Sequence, residues 1–130
     1  SKYATLKDIK INNLPLIVES KISTLKTKDL ILSIEKLLGK ELFGVAIKKK
    51  SVRSGKGKLR GRKYKSNAGL LLVMGKDEKI KTNAFEVITM NELGVTDLAK
   101  GGLGRLTIYT EKAVEEIKNK FGAKKKWWNQ

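Results

Sequence analysis

Ten cationic side chains fall within positions 48–65 with no carboxylate among them: Lys48, Lys49, Lys50, Arg53, Lys56, Lys58, Arg60, Arg62, Lys63 and Lys65. Gly55, Gly57 and Gly61 are interleaved with them, and Tyr64 adds an aromatic ring. This pattern suits the binding of a polyanion rather than the making of bonds. Glycine lets a backbone approach a phosphate chain closely, and interleaved Lys and Arg neutralise successive phosphates. Arginine can also chelate one phosphate through two parallel hydrogen bonds or stack on an exposed base. Tyr64 supplies a second stacking surface. A merely solvated basic loop is the plainer alternative, but ten like charges without a counterweight exceed what solubility requires.

The three glycines invite a nucleotide-binding reading, which the spacing defeats. Gly55, Gly57 and Gly61 stand as Gly-x-Gly followed by three residues before the next glycine, and no Gly-Lys-Ser/Thr follows. Neither the dinucleotide nor the P-loop fingerprint is met. A second cluster, Gly101, Gly102, Leu103 and Gly104 with Arg105, has two readings. It is a tight turn into a strand, or a place where backbone nears RNA with Arg105 on a phosphate; the turn is preferred for the glycines and the matter stays open for Arg105. At the C-terminus Lys124, Lys125, Lys126, Trp127 and Trp128 join a basic run to two aromatics, which suit stacking on bases or docking on a protein, unless the tail is simply loose.

Catalysis finds little support in the residue inventory. Histidine and cysteine are absent, which removes the commonest general base, metal ligand and nucleophile along with disulfides. The 13 carboxylates are scattered. Asp77 with Glu78 falls in a turn, Glu115 with Glu116 on a helix surface, and adjacent residues on a helix do not face each other. No catalytic residue, metal site or cofactor is expected.

The basic segment sits in a chain of 130 residues, the size of one domain, with 40% hydrophobic content, enough for one packed core. Basic residues number 29 against 13 acidic ones, a formal charge of +16 that opposes compaction and that a polyanionic partner would relieve. Nucleic acid is the first candidate and an anionic membrane surface the weaker one. No run approaches the roughly 18 to 20 apolar residues of a membrane span, and the opening residues lack a signal-peptide layout, so a cytoplasmic protein without membrane contact is expected.

Periodicity supplies the elements that must hold the basic segment. Leu14, Pro15, Leu16, Ile17 and Val18 read as a buried strand. Leu30, Ile31, Ile34, Leu37 and Leu38 recur at helical spacing behind Thr27 as a cap, with Gly39 as a stop, and 41–47 is undecided between helix and strand. Residues 48–67 read as an extended basic loop. Leu70, Leu71, Leu72, Val73 and Met74 form a strand covered on both faces, followed by a turn at 76–79, and further strands are expected over 85–89 and 105–109 with a helical turn near 96–99 between them. Thr110 then caps a last helix with Ala113, Val114, Ile117 and Phe121 on one face and Gly122 as its stop, before a basic and aromatic tail over 123–130. Leu37, Leu38, Ile117 and Phe121 are read as core. The fold class is α/β, a mostly parallel central sheet flanked by helices.

Three stretches in order carry a resemblance to a known family. They are Leu14-Pro15-Leu16-Ile17-Val18, the basic stretch from Arg53 through Tyr64, and Asp97-Leu98-Ala99-Lys100-Gly101-Gly102 leading to Gly104-Arg105-Leu106-Thr107-Ile108-Tyr109-Thr110-Glu111. The chain resembles the C-terminal portion of the archaeal and eukaryotic type of ribosomal protein L-four, from about Leu14 to Phe121. The resemblance implies an α/β domain embedded in large-subunit ribosomal RNA, with Arg53, Lys56, Lys58, Arg60, Arg62 and Lys63 contacting RNA, and no catalysis. Family members also carry an N-terminal strand and a long loop reaching the peptide exit tunnel, which have no match here, so no tunnel-lining role is assigned. The chain is expected to be a fragment or one half of a protein made in two pieces. A sheet lacking that strand would expose an edge, so a separate chain supplying the N-terminal part is an expected partner, beside ribosomal RNA and neighbouring ribosomal proteins. The alternative is a non-ribosomal RNA- or DNA-binding regulatory module.

Overall fold

The computed structural model describes residues 14–102 and 104–122. Four strands form the central sheet: β1 (Leu16–Val18), β4 (Leu71–Met74), β5 (Glu86–Thr89) and β6 (Thr107–Thr110), in the order β1-β6-β4-β5. All three pairings are parallel, with Leu16 opposite Ile108, Leu71 opposite Thr107 and Leu71 opposite Glu86. The other two strands, β2 (Lys50–Val52) and β3 (Tyr64–Ser66), pair antiparallel with each other and stand apart from this sheet.

Central position explains the apolar run of β4. Its four residues are wholly buried because the sheet is covered on both faces, the arrangement that removes the polar alternation of a half-exposed strand. Leu70, Leu72 and Met74 point to one side with Ile108, where helix α1 (Thr27–Ala46) lays Leu30, Ile34, Leu38, Leu42 and Ala46 against them. On the other side Leu71 and Val73 meet Met90, Ala113 and the partly buried Leu98, Tyr109 and Ile117. That layer belongs to the short helix α2 (Val95–Ala99) and to α3 (Glu111–Gly122). Each fully buried aliphatic side chain contributes roughly 1.5–3 kcal/mol, so the doubly covered strand is the energetic centre of the fold.

Several sequence expectations are corrected here. Gly39 does stop the first helical segment, since its backbone at φ +74° and ψ 163° is not helical, but a second segment follows directly, so α1 is two helical pieces meeting at a kink. The second segment, which decides 41–47 as helix, adds Leu42 and Ala46 to the same core layer that Leu30, Ile34 and Leu38 form from the first. Lys26, not Thr27, is the N-cap residue, and no side chain caps that end. Leu37 and Phe121 are exposed, at 41% and 58%, because both lie off the stripe that meets the sheet. Thr110 does cap α3, accepting from the Ala113 N–H at 3.4 Å.

Candidate nucleic-acid interface

The segment expected as an extended loop carries local order. Strands β2 and β3 form a two-stranded ribbon with Lys50 opposite Ser66 and Val52 opposite Tyr64, and the Arg53 N–H donates to the Lys63 carbonyl at 2.8 Å. A 3-10 turn over Lys56–Arg60 closes the tip between Gly55 at φ +84° and Gly61 at φ +72°, a backbone sign that glycine adopts without a Cβ penalty. Every residue from 48 to 66 is exposed except Gly57. The ribbon therefore buries almost nothing of its own and cannot be held by a core.

Beyond its own strand pairing, the ribbon is fastened to the body at its root. The Asn67 side chain spans the two strands' entry and exit, with Oδ1 accepting from the Lys49 N–H at 2.6 Å and Nδ2 donating to the Ile47 carbonyl at 2.9 Å. Leu70 N–H donates to the Ala46 carbonyl at 2.8 Å, tying the end of α1 to the start of β4. Gly69 makes that approach possible: its φ is +66°, and a Cβ there would stand 3.0 Å from the Ala46 oxygen.

Arg105 lies beneath this root rather than with the exposed cations. Its Nε donates to the Gly69 carbonyl at 3.0 Å, and its Nη2 to the Ala68 carbonyl at 2.6 Å and to Glu86 Oε2 at 2.8 Å. Only 1% of its side chain is exposed. Its guanidinium is turned inward, with Nε, Nη1 and Nη2 all bonded to carbonyls or to the Glu86 carboxylate. Gly101, Gly102 and Gly104, at φ +93°, +106° and +101°, form the turn that delivers it.

Glu86 collects the charges around this point. Lys100 Nζ lies 2.6 Å from its Oε1, and Lys48 Nζ 3.9 Å from its Oε2. The hydrogen bond from Lys100, helped by Arg105 and opposed by burial, holds the Glu86 carboxyl at about 2 against an ordinary 4.5. Lys100 in turn is raised by Glu86 and then by Asp97, whose Oδ1 lies 3.2 Å away.

Of the ten cations in 48–65, Lys48 is the one with an acidic partner among the described residues. Lys49, Lys50, Arg53, Lys56, Lys58, Arg60, Arg62, Lys63 and Lys65 project from an exposed ribbon, and the tip also presents Leu59 at 83% exposure. Tyr64 sits among them with Lys50 Nζ 4.2 Å and Lys63 Nζ 5.6 Å from its ring centroid. Such a surface can neutralise several phosphates while offering one ring for stacking. Lys124, Lys125, Lys126, Trp127 and Trp128 lie outside the described residues. Sequence reasoning missed Asn67, Gly69 and Glu86; the only advance signal was a lone Asn-x-Gly at the end of the basic run. Among the described residues no group of acidic side chains could hold a metal ion, and no helix is long and apolar enough to cross a membrane.

Comparison with models of protein families finds no match. Among curated proteins, the chain is 43% identical over 123 residues to large ribosomal subunit protein uL4 of Methanocaldococcus jannaschii, covering 84% of this chain and 46% of that protein. It is 41% identical over 120 residues to the protein of the same name from Methanococcus aeolicus, and 38% identical over 119 residues to that of Sulfurisphaera tokodaii. In these two pairs 85% of this chain is covered, with 47% and 45% of the relative. The chain thus spans a little under half the length of the curated relatives it matches.

Proposed function

The chain is a homologue of the C-terminal portion of archaeal large ribosomal subunit protein uL4, and on that premise we propose that it is a structural constituent of the large subunit that binds ribosomal RNA through the β2–β3 ribbon. It works on the cytoplasmic ribosome, beside ribosomal RNA and neighbouring ribosomal proteins, and performs no catalysis. The observation that carries the reading is the ribbon itself: an exposed, strand-paired segment, free of carboxylates, that stands out from the core and is tied to it at its root. Arg53, Lys56, Lys58, Arg60, Arg62 and Lys63 meet phosphates, with Lys48, Lys49, Lys50 and Lys65 nearer the body and Tyr64 stacking. Arg105 is left out of the contact set because it works inward.

Charge neutralisation makes a quantitative demand. If about five phosphates are engaged, log affinity falls with log salt at a slope of roughly −3.5 to −4.5. Titrating structured RNA with the chain at several salt concentrations measures it, and Arg60→Ala with Arg62→Ala should flatten the slope by roughly 1.4 to 1.8. An affinity indifferent to salt would end this reading, and duplex DNA competing as well as structured RNA would favour the regulatory-module alternative. The reading has a finer part. Among the described residues, strands β1 and β5 are the outer strands of the sheet, and a polypeptide segment corresponding to the unmatched half of the relatives pairs with one of these edges.

A further inference from the structure

A cleft of about 320 Å³ opens where the ribbon joins the body, lined by Lys48, Lys50, Tyr64, Lys65, Ser66 and Asn83. The ribbon supplies Lys50, Tyr64, Lys65 and Ser66, and Asn83 comes from the connection leading into β5. We infer that this cleft receives one unpaired nucleotide of the bound RNA, its base on the Tyr64 ring and its phosphate among Lys48, Lys50 and Lys65. The inference rests on the RNA-binding reading and adds to it a site, a ligand class and two residues, Ser66 and Asn83.

Shape and chemistry argue together. The volume lies at the small end of the roughly 300–1,000 Å³ that small-ligand clefts occupy, room for a single nucleotide but not for a double helix. A paired backbone does not fit a cleft of this volume, so the site at the ribbon's root admits only a residue swung out of the stack. The lining contains three lysines and no carboxylate, so it favours an anion. It also contains what a bare phosphate site would not need: a half-exposed tyrosine ring, a hydroxyl, and an amide that presents both a donor and an acceptor to a base edge.

Lys50 already covers the Tyr64 ring at 4.2 Å. That contact does not block a base. An exposed cation–π pair is weaker than stacking of a base on an aromatic side chain, and the flexible ammonium gains a phosphate when it leaves the ring. Tyr64 is the residue opposite Val52 in the ribbon, at 48% exposure. The backbone that carries the ring is therefore held by strand pairing, and the residue stays about half exposed beneath the ammonium groups of Lys50 and Lys63.

The test uses the full chain and two RNA hairpins of equal length and charge in the stem, one carrying a single unpaired adenosine. Fluorescence anisotropy at one salt concentration gives the ratio of the two affinities. The wild-type chain should prefer the bulged hairpin by about tenfold, the range that stacking of one base supplies. Tyr64→Leu should bring the ratio close to one, Tyr64→Phe should retain it, and Asn83→Asp should lower it by placing a carboxylate in the cleft. Arg60→Ala with Arg62→Ala should weaken both hairpins in parallel with the ratio intact. Equal wild-type affinities for the two hairpins, or a ratio unmoved by Tyr64→Leu, overturn the inference while leaving salt-dependent RNA binding standing. Absence of salt-dependent binding to either hairpin overturns it together with the reading beneath it.

Discussion

Arg105 Nη2 and Glu86 Oε2 stand 2.8 Å apart, joining β5 to the approach of β6 directly beneath the basic ribbon's root. The same guanidinium holds the carbonyls of Ala68 and Gly69, the residues through which the ribbon re-enters the sheet. Arg105→Ala would leave those carbonyls and the Glu86 carboxylate short of a buried donor. Glu86 keeps Lys100, so the main cost is that of the buried carbonyls left without a donor, about 1–3 kcal/mol, and a denaturant melt should show a loss of that size. Arg105→Lys should recover only part of it, since an ammonium cannot reproduce the fork. A melt unchanged by Arg105→Ala would mean that the arginine contributes nothing to the root.

Acid sensitivity follows from the neighbouring carboxylate. Glu86 titrates at about 2 when folded and near 4.5 when unfolded, so its contribution is present above 4.5 and is lost as pH falls from there towards 2. Allowing for its quarter exposure, the contribution is about 2 kcal/mol. Thermal melts from pH 6 down to pH 2.5 should show a steeper decline for the wild-type chain than for Glu86→Gln. Two parallel curves would contradict the assignment. Lys100 acts in the opposite sense: its raised value gives stability that is present below 10.5 and is lost as pH climbs beyond it.

Gly69→Ala should be costly although it adds one methyl group to a partly buried turn. Alanine at φ +66° carries about 1–2 kcal/mol of backbone penalty, and the 3.0 Å approach to the Ala46 oxygen forces the helix end away. Asn67→Ala, which keeps the backbone and removes the side-chain bridge, should instead loosen the ribbon with little change in global stability. Hydrogen exchange separates the two: Asn67→Ala raises exchange at Lys49 and Arg53, while Gly69→Ala lowers the melting temperature. Identical behaviour of the two variants would disprove the proposed division of labour.

How much of this was legible in the sequence differs element by element. The core strand at 71–74 and the last helix were readable because an unbroken apolar run and a Thr-Glu start each have a single physical explanation. The break at Gly39 was legible because a glycine free to take positive φ ends helices, whereas 41–47 was not, since only the sheet beneath reveals that Leu42 and Ala46 belong to a second helical segment packed on the same layer. Charge was the least transparent property. Arg105 and Arg62 look alike in composition, yet one is enclosed by carbonyls and the other stands in solvent. The difference lies in Glu86, nineteen residues earlier, which no local pattern connects to it.

Glu78 shows the same dependence on distant partners and supports a last prediction. Read from sequence it is half of a surface turn, but it is 5% exposed. Its Oε2 accepts from the Gly75 N–H at 3.0 Å and from the Thr110 hydroxyl at 2.6 Å. That hydroxyl in turn accepts from Ala113 at the start of α3, so one carboxylate links the end of β4 to the end of β6 and the first turn of the helix. Burial pushes the carboxyl up, but hydrogen bonds from Thr110, Ser20 and Gly75 and the charge of Lys112 outweigh it and leave it below its ordinary value. Glu78→Leu removes the acceptor for two buried donors, each costing about 1–3 kcal/mol when stranded. Thr110→Val breaks the link from the other side and removes the cap, so the two variants share a mechanism. A double-mutant cycle should therefore show strong non-additivity, the double variant losing clearly less than the sum of the single losses. Simple additivity would show that Glu78 and Thr110 act independently and that the carboxylate does not anchor the helix.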